Sequence, residues 1–197
     1  MNQVEMNKQA KLSEHFSLGE LTRSKSHPEI YNIPSHVHIE NLKRVCVWLE
    51  ALRARYNERY VLAGAGGQVP KSRLAKAGGQ VPKVEVFGEN FISRPDPEVI
   101  SRPDPEEPII ITSGYRSAEL NRKVGGVATS NHLTGCAVDI RVAGKEQLIR
   151  YACILLDYAD ETKQEFDELL LEHGSNGVIW LHFAVRPQGN RRKIGFL

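Results

Sequence analysis

Two histidines and one aspartate stand where zinc chemistry could arise. His132 lies seven residues before Asp139, in the turn-forming stretch SNHLTG, and His182 lies in a later strand-like segment. Two imidazoles and one carboxylate that leave a fourth position open form the ligand set of a hydrolytic zinc site. Taken singly, a strand histidine or aspartate is more often a structural residue. The combination predicts one zinc ion per chain, held by all three.

The segments around Asp139 and His182 have the alternating pattern of half-buried strands. In AVDIRV (137–142), every second residue is a branched apolar one, and Asp139 lies between two of them. In VIWLHFAV (178–185), Ile, Leu, Phe and Val recur at every second position from 179 onward, and His182 lies in the alternate set. Successive side chains of a strand point to opposite faces, so Asp139 and His182 both leave the apolar face of their strands. We expect the apolar faces to meet helices, which puts both ligands on the other side of the sheet.

The remaining elements predict an α+β fold with a small antiparallel sheet packed against helices. Apolar residues recur at helical spacing over 39–56 and 145–159. IIITSGY (109–115) has the β-branched composition of a buried strand, and the segments 166–173 and 178–186 form a predicted hairpin around GSNG. Helices and strands follow one another without a βαβ rhythm, which favours the α+β class.

Residues 57–107 interrupt this pattern. AGGQVPK and SRPDPE each occur twice within them, and glycine, proline and charged residues dominate the composition. Two short copies do not make a solenoid, so we predict a duplicated, low-complexity insertion in a single domain that spans 1–197. A short hairpin near 84–87 is the one element expected inside it.

Composition argues against several classes of function. The 197 residues carry a net charge of +2, too little to indicate a nucleic-acid surface, and no window approaches the roughly 18 apolar residues of a membrane span. The N-terminus lacks an apolar core and a cleavage site, so we expect cytoplasmic synthesis without a signal peptide. Basic residues cluster at the C-terminal end, which predicts a solvated tail: Arg186, Arg191, Arg192 and Lys193.

The stretch SNHLTGCAVD (130–139) resembles the Ser-x-His-x-x-Gly-x-Ala-x-Asp signature of the M15 family of zinc D-Ala-D-Ala carboxypeptidases and murein endopeptidases. Every specified position is present, SGYRS (113–117) and WLH (180–182) match the flanking motifs, and 12–24 looks like the N-terminal segment of short, phage-associated members. The resemblance implies a fold shared with the hedgehog signalling domain, zinc as cofactor and peptidoglycan peptides as substrate. It also implies later release to the cell wall by a phage-type route.

The resemblance implies a role for each residue of this chain that matches a functional position of the family motif. His132, Asp139 and His182 match the zinc ligands. Arg116 matches the arginine that binds the terminal carboxylate of the substrate, a task suited to a planar guanidinium. Ser130 matches a substrate-contacting serine, and as a turn residue it could equally cap local backbone.

One position departs from the family pattern. The family usually places a catalytic carboxylate three residues before the last ligand, where this chain has Ile179. Glu172, on the neighbouring strand, is the best substitute as catalytic base, ahead of Asp167 and Glu168. The hairpin register expected from the sequence puts Glu172 across from Ile179, on the face away from His182, so that a one-residue bulge is needed to bring it round.

The replaced carboxylate leaves a second function open. A zinc-bearing relative without turnover would serve as a cell-wall-binding or phage structural module. A third reading is a plain globular protein with structural histidines. Metal content and hydrolysis of purified murein distinguish the three.

Overall fold

The computed structural model of the protein describes residues 7–61 and 106–197. The α-helices in these residues are α1 (Leu18–Thr22), α2 (His36–Tyr56), α3 (Ala118–Lys123) and α4 (Lys145–Thr162). A π-helical turn (Asn57–Val61) extends α2, and a 3-10 turn (Asn131–Thr134) precedes the second strand. The strands are β1 (Ile111–Ser113), β2 (Ala137–Arg141), β3 (Glu168–His173), β4 (Ile179–Ala184) and β5 (Lys193–Phe196).

The five strands form one sheet in the order β1-β2-β4-β3-β5. Three neighbouring pairs are antiparallel, whereas β5 runs parallel to β3. The predicted α+β class is confirmed, but the purely antiparallel sheet is wrong at β5. Strand β4 ends beside the start of β3, where Ala184 pairs with Glu168. The chain then reverses direction, so that Lys193, at the start of β5, pairs with the same Glu168. The segment predicted to be a solvated tail is therefore the edge strand of the sheet and its approach.

Helices α2 and α4 cover one face of the sheet, as the strand pattern predicts. Their apolar residues form one core with the apolar residues of β2 and β4. Side chains at the centre of this layer have no exposed surface: Leu42, Leu49, Val138, Ile140, Leu155, Leu181 and Phe183. Fully burying a side chain of this size contributes about 1.5–3 kcal/mol, so this face is firmly determined. The opposite face of the sheet carries Asp139 and His182.

The ends of the predicted insertion are anchored to α2. The π-helical turn continues the helix to Val61, and the buried Asn57 side chain accepts a hydrogen bond from Glu107 N (2.6 Å) and donates one to Glu107 O (3.0 Å). The repeats and the hairpin expected near 84–87 lie outside the described residues. Among the described residues, no helix has the length and apolar character needed to cross a bilayer.

Candidate metal centre

Asp139 and His182 occupy directly paired positions on β2 and β4. The 3-10 turn before β2 adds His132, and one ligand atom from each of the three residues lies within 4.8 Å of the others. All three residues are buried, and among residues 7–61 and 106–197 no fourth histidine, cysteine or carboxylate joins the group. The structure thus brings together the three residues that the sequence predicts as ligands.

A backbone carbonyl fixes the orientation of His132. Its Nδ1 lies 2.6 Å from Gly114 O. Since a carbonyl oxygen only accepts, Nδ1 carries a proton, and Nε2, which lies 3.2 Å from Asp139 Oδ1, is the nitrogen that faces the other two candidate ligands. A histidine whose second nitrogen donates to a carbonyl is the usual arrangement around a bound metal.

The turn that carries His132 is held at both ends. Ser130 caps it, because its side-chain oxygen accepts from His132 N at 3.3 Å. Of the two roles that the sequence left open for Ser130, the structure thus shows the capping role. At the other end Gly135 adopts a left-handed conformation with φ +70°, and a Cβ there would lie 2.6 Å from His38 O. Glycine adopts this backbone angle without the steric cost that a side chain would add.

Gly135→Ala is expected to lower the free energy of unfolding by about 2–5 kcal/mol. A left-handed backbone costs a side chain about 1–2 kcal/mol, and overpacking against fixed backbone adds about 1–3 kcal/mol. Gly125→Ala is the matched control, because Gly125 has φ +78° but open space around it, so it pays the first cost alone. Urea unfolding measures both variants. Equal losses in the two would show that the contact with His38 does not constrain the turn.

Arg116 contacts Asp139, one of the three candidate metal ligands. Its Nη2 lies 2.5 Å from Asp139 Oδ2, and its Nε donates to Ser113 Oγ at 2.7 Å. Burial would raise the pKa of Asp139, but the neighbouring His132 and His182 imidazoles outweigh it and hold that pKa well below its usual range. Asp139 is therefore a carboxylate with one oxygen fixed by Arg116 and the other turned to the histidines. Binding of a substrate carboxylate by Arg116 stays a prediction.

His182 stands between two carboxylates. Its Nδ1 lies 2.9 Å from Asp139 Oδ1, and its Nε2 lies 3.5 Å from Glu168 Oε2. Burial lowers the pKa of His182, yet hydrogen bonds to Asp139 and Glu168 prevail and raise it to about 9. Such a site favours positive charge. A divalent cation on the Asp139 side fits this donor set, with His182 Nε2–H then donating to Glu168 as the carboxylate behind a metal-bound imidazole.

The β3–β4 hairpin differs from the expected register by one residue. His173 pairs with Ile179, and Glu172 pairs with Trp180. The reason is the turn, which is closed by a hydrogen bond from Gly174 N to Val178 O and includes one residue more than expected. Glu172 therefore lies on the same face as His182 without a bulge, and the expected position on the opposite face is wrong.

Ile179 packs against the core on the helix side of the sheet. A carboxylate at this position in this hairpin would point to the helices, because positions 179 and 182 lie on opposite faces of β4. The replacement of the family carboxylate at Ile179 therefore removes no group from the face that carries His182. On that face, β3 supplies Glu168 and Glu172.

These two glutamates differ in their surroundings. Glu168 accepts from Asn131 Nδ2 at 2.8 Å and lies near Arg191, and its pKa is lowered to about 2, first through the hydrogen bond from His182. Glu172 makes no hydrogen bond or ion pair with any residue that the structure describes, yet its charge acts on His182. Glu168 is thus held as a carboxylate by its neighbours, whereas the Glu172 side chain is unpaired among the described residues.

Sequence reasoning missed the residues that surround Glu168. Asn131 occupies an unspecified position of the signature, so nothing in the motif pointed to it. Arg186 and Arg191 were assigned to a solvated tail, whereas both are ion-paired to the buried Asp167. The available signal was the pair of acidic residues at the start of β3, which needs cations when it is buried.

An α+β domain with two imidazoles and one carboxylate converging on an open position has the architecture of a mononuclear metal hydrolase. Residues 102–162 match the model of the family Peptidase M15. The matched span includes Arg116, His132 and Asp139 and ends before His182. The match supports membership of the M15 peptidase family, which confirms the resemblance seen in the signature and implies a hydrolase of the metallopeptidase type. A search of curated proteins finds no match to the chain.

Proposed function

We propose that the protein is a zinc metallopeptidase that hydrolyses D-amino-acid-containing peptides of bacterial peptidoglycan, as a D-Ala-D-Ala carboxypeptidase or a murein endopeptidase. The observation that carries the proposal is the convergence of His132, Asp139 and His182 within 4.8 Å. M15 peptidases are typically zinc-dependent, and this donor set of two imidazoles and one carboxylate suits one zinc ion per chain.

The ligand atoms follow from the contacts of each side chain. His132 would bind through Nε2, because Nδ1 is used by Gly114 O, and His182 through Nδ1, because Nε2 faces Glu168. Asp139 would bind through Oδ1, because Arg116 holds Oδ2. A bound zinc ion would activate a water molecule and polarise the scissile carbonyl.

Glu172 is the residue that we propose for the proton transfers of peptide hydrolysis. Peptide hydrolysis needs a base that takes a proton from the attacking water and an acid that returns it to the leaving amine. Glu172 lies on the face of His182 and is unpaired among the described residues, whereas Glu168 is held by Asn131, Arg191 and His182.

Substrate recognition is proposed for Arg116, which contacts Asp139, and for Ser130, which caps the turn that carries His132. The guanidinium of Arg116 would meet the terminal carboxylate of a D-Ala peptide. Because the substrate is the bacterial cell wall, we also propose release to it by a phage-type route after cytoplasmic synthesis.

Zinc-loaded protein is expected to cleave purified murein or a peptide ending in D-Ala-D-Ala, and to leave the same peptide ending in L-Ala-L-Ala intact. Mass spectrometry of the products separates the two activities, since a carboxypeptidase releases free D-Ala and an endopeptidase opens cross-links. A chelator-treated sample is the control. Fully zinc-loaded protein that cleaves none of these substrates would contradict the proposal.

The second candidate that the sequence left open is a zinc-bearing module that binds cell wall or stabilises a phage particle without turnover. It predicts zinc binding and sedimentation with intact murein sacculi, but no released peptide. The cleavage experiment decides between the two.

A further inference from the structure

Asp167, at the start of β3, has no exposed surface. It accepts two hydrogen bonds from Arg191, with Nε to Oδ1 at 2.8 Å and Nη2 to Oδ2 at 2.7 Å. Arg186 Nε lies 3.0 Å from Oδ2, and Asn131 Nδ2 donates to the same oxygen at 2.7 Å. A buried charge is tolerated when it is paired and fully hydrogen-bonded, and Asp167 meets both conditions. We call Asn131, Asp167, Arg186 and Arg191 the Asp167 hub.

The hub reaches the metal centre through Glu168. Arg191 Nη2 lies 2.9 Å from Glu168 Oε1, so one guanidinium bridges Asp167 and Glu168. Asn131 Nδ2 holds the other carboxylate oxygen of Glu168 at 2.8 Å, and that oxygen faces His182 Nε2. The chain of contacts therefore runs from Arg191 through Glu168 to a proposed zinc ligand.

The parallel edge strand β5, which begins two residues after Arg191, positions Arg191 beside Asp167 and Glu168. Backbone hydrogen bonds join Arg192 N to Phe166 O and Lys193 N to Asp167 O, each at 2.9 Å. These bonds fix the backbone immediately after Arg191 without involving its guanidinium. The side chain of Arg191 thus has an anchored base, while its head group contacts the two carboxylates.

We propose that Arg191 is a positioning residue of the metal centre, which holds Glu168 in place behind His182 and so sets the orientation of that imidazole. The inference rests on the zinc site of the proposed function but does not require turnover. A merely structural ion pair would stabilise the fold without any specific effect on metal affinity. Partners behind a metal-bound histidine, by contrast, typically contribute 10–100-fold to affinity.

The test compares Arg191→Ala with Arg192→Ala, its neighbour in sequence. Arg192 pairs with Asp160 and lies over the Phe166 ring, and neither of these residues belongs to the ligand group. We expect Arg191→Ala to raise the zinc dissociation constant, measured by competition with a chelator, by about 10–100-fold. Arg192→Ala is expected to change it by less than about twofold, as for an ordinary surface substitution. Equal constants for wild type and Arg191→Ala would overturn the proposal.

A double-mutant cycle identifies the route. If Arg191 acts through Glu168, adding Arg191→Ala to Glu168→Gln should weaken zinc binding by less than about threefold further. Fully additive penalties would overturn the proposed route. Cobalt-loaded protein offers a second readout, since its visible absorption reports ligand geometry and should shift in Arg191→Ala but not in Arg192→Ala.

Arg191→Lys covers the case in which the alanine variant does not fold. A lysine keeps the charge beside Asp167 but lacks the fork that bridges two carboxylates, so zinc binding should still weaken by at least about threefold. Unchanged binding would overturn the proposal. Wild-type protein that binds zinc but cleaves nothing would remove the peptidase function alone, whereas wild-type protein without zinc binding would overturn both.

Discussion

His132→Ala is expected to abolish stoichiometric zinc binding and to lower affinity by at least ~1,000-fold, or about 4 kcal/mol. The loss leaves only two protein ligands, and zinc sites with an open position use three. His132 Nε2 also lies 3.2 Å from Asp139 Oδ1, so its removal opens a gap beside a buried carboxylate. Elemental analysis of dialysed protein gives the zinc content, and chelator competition gives the affinity.

His36→Ala is the matched control for this loss. His36 is an exposed histidine at the first position of α2 and is outside the ligand group. The control should keep one zinc per chain. One tightly bound zinc in the double variant His132→Ala, His182→Ala would refute the assignment of the site.

Glu172→Gln is expected to retain zinc and to lower kcat for murein peptides by at least ~100-fold, the lower end for acid–base catalysis. The amide keeps the size of the side chain but cannot take up the proton of the attacking water. Glu168→Gln should behave differently, because it removes the carboxylate behind His182 and should weaken zinc binding by about 10–100-fold. Steady-state kinetics at saturating zinc, with zinc affinity measured in parallel, separate the two glutamates.

The two results have distinct consequences. If Glu172→Gln cleaves as fast as an active wild type, Glu172 is not the base, and Glu168 is the next candidate on the same face. If Glu168→Gln loses turnover at full zinc occupancy while Glu172→Gln does not, the roles are reversed. Asp167 is the weakest of the three candidates for the catalytic base, since its carboxylate is enclosed by Arg191, Arg186 and Asn131.

The sequence by itself predicted the candidate ligand set and the layer of the fold that supports it. Strand parity alone put Asp139 and His182 on the face opposite the helices, because a period of two is a local property of the chain. Long amphipathic segments predicted α2 and α4, since burial of one face determines where such helices lie.

Only the tertiary structure decided what depends on turn length and on contacts between distant segments. One additional residue in the turn after His173 moved Glu172 to the face of His182, because a shift of one residue reverses every side chain of a strand. The return of the chain after β4 made Lys193–Phe196 a parallel edge strand and brought Arg191 to Asp167, 24 positions earlier in the chain. No local pattern encodes that pairing, because a buried carboxylate accepts whichever cation the fold brings within reach.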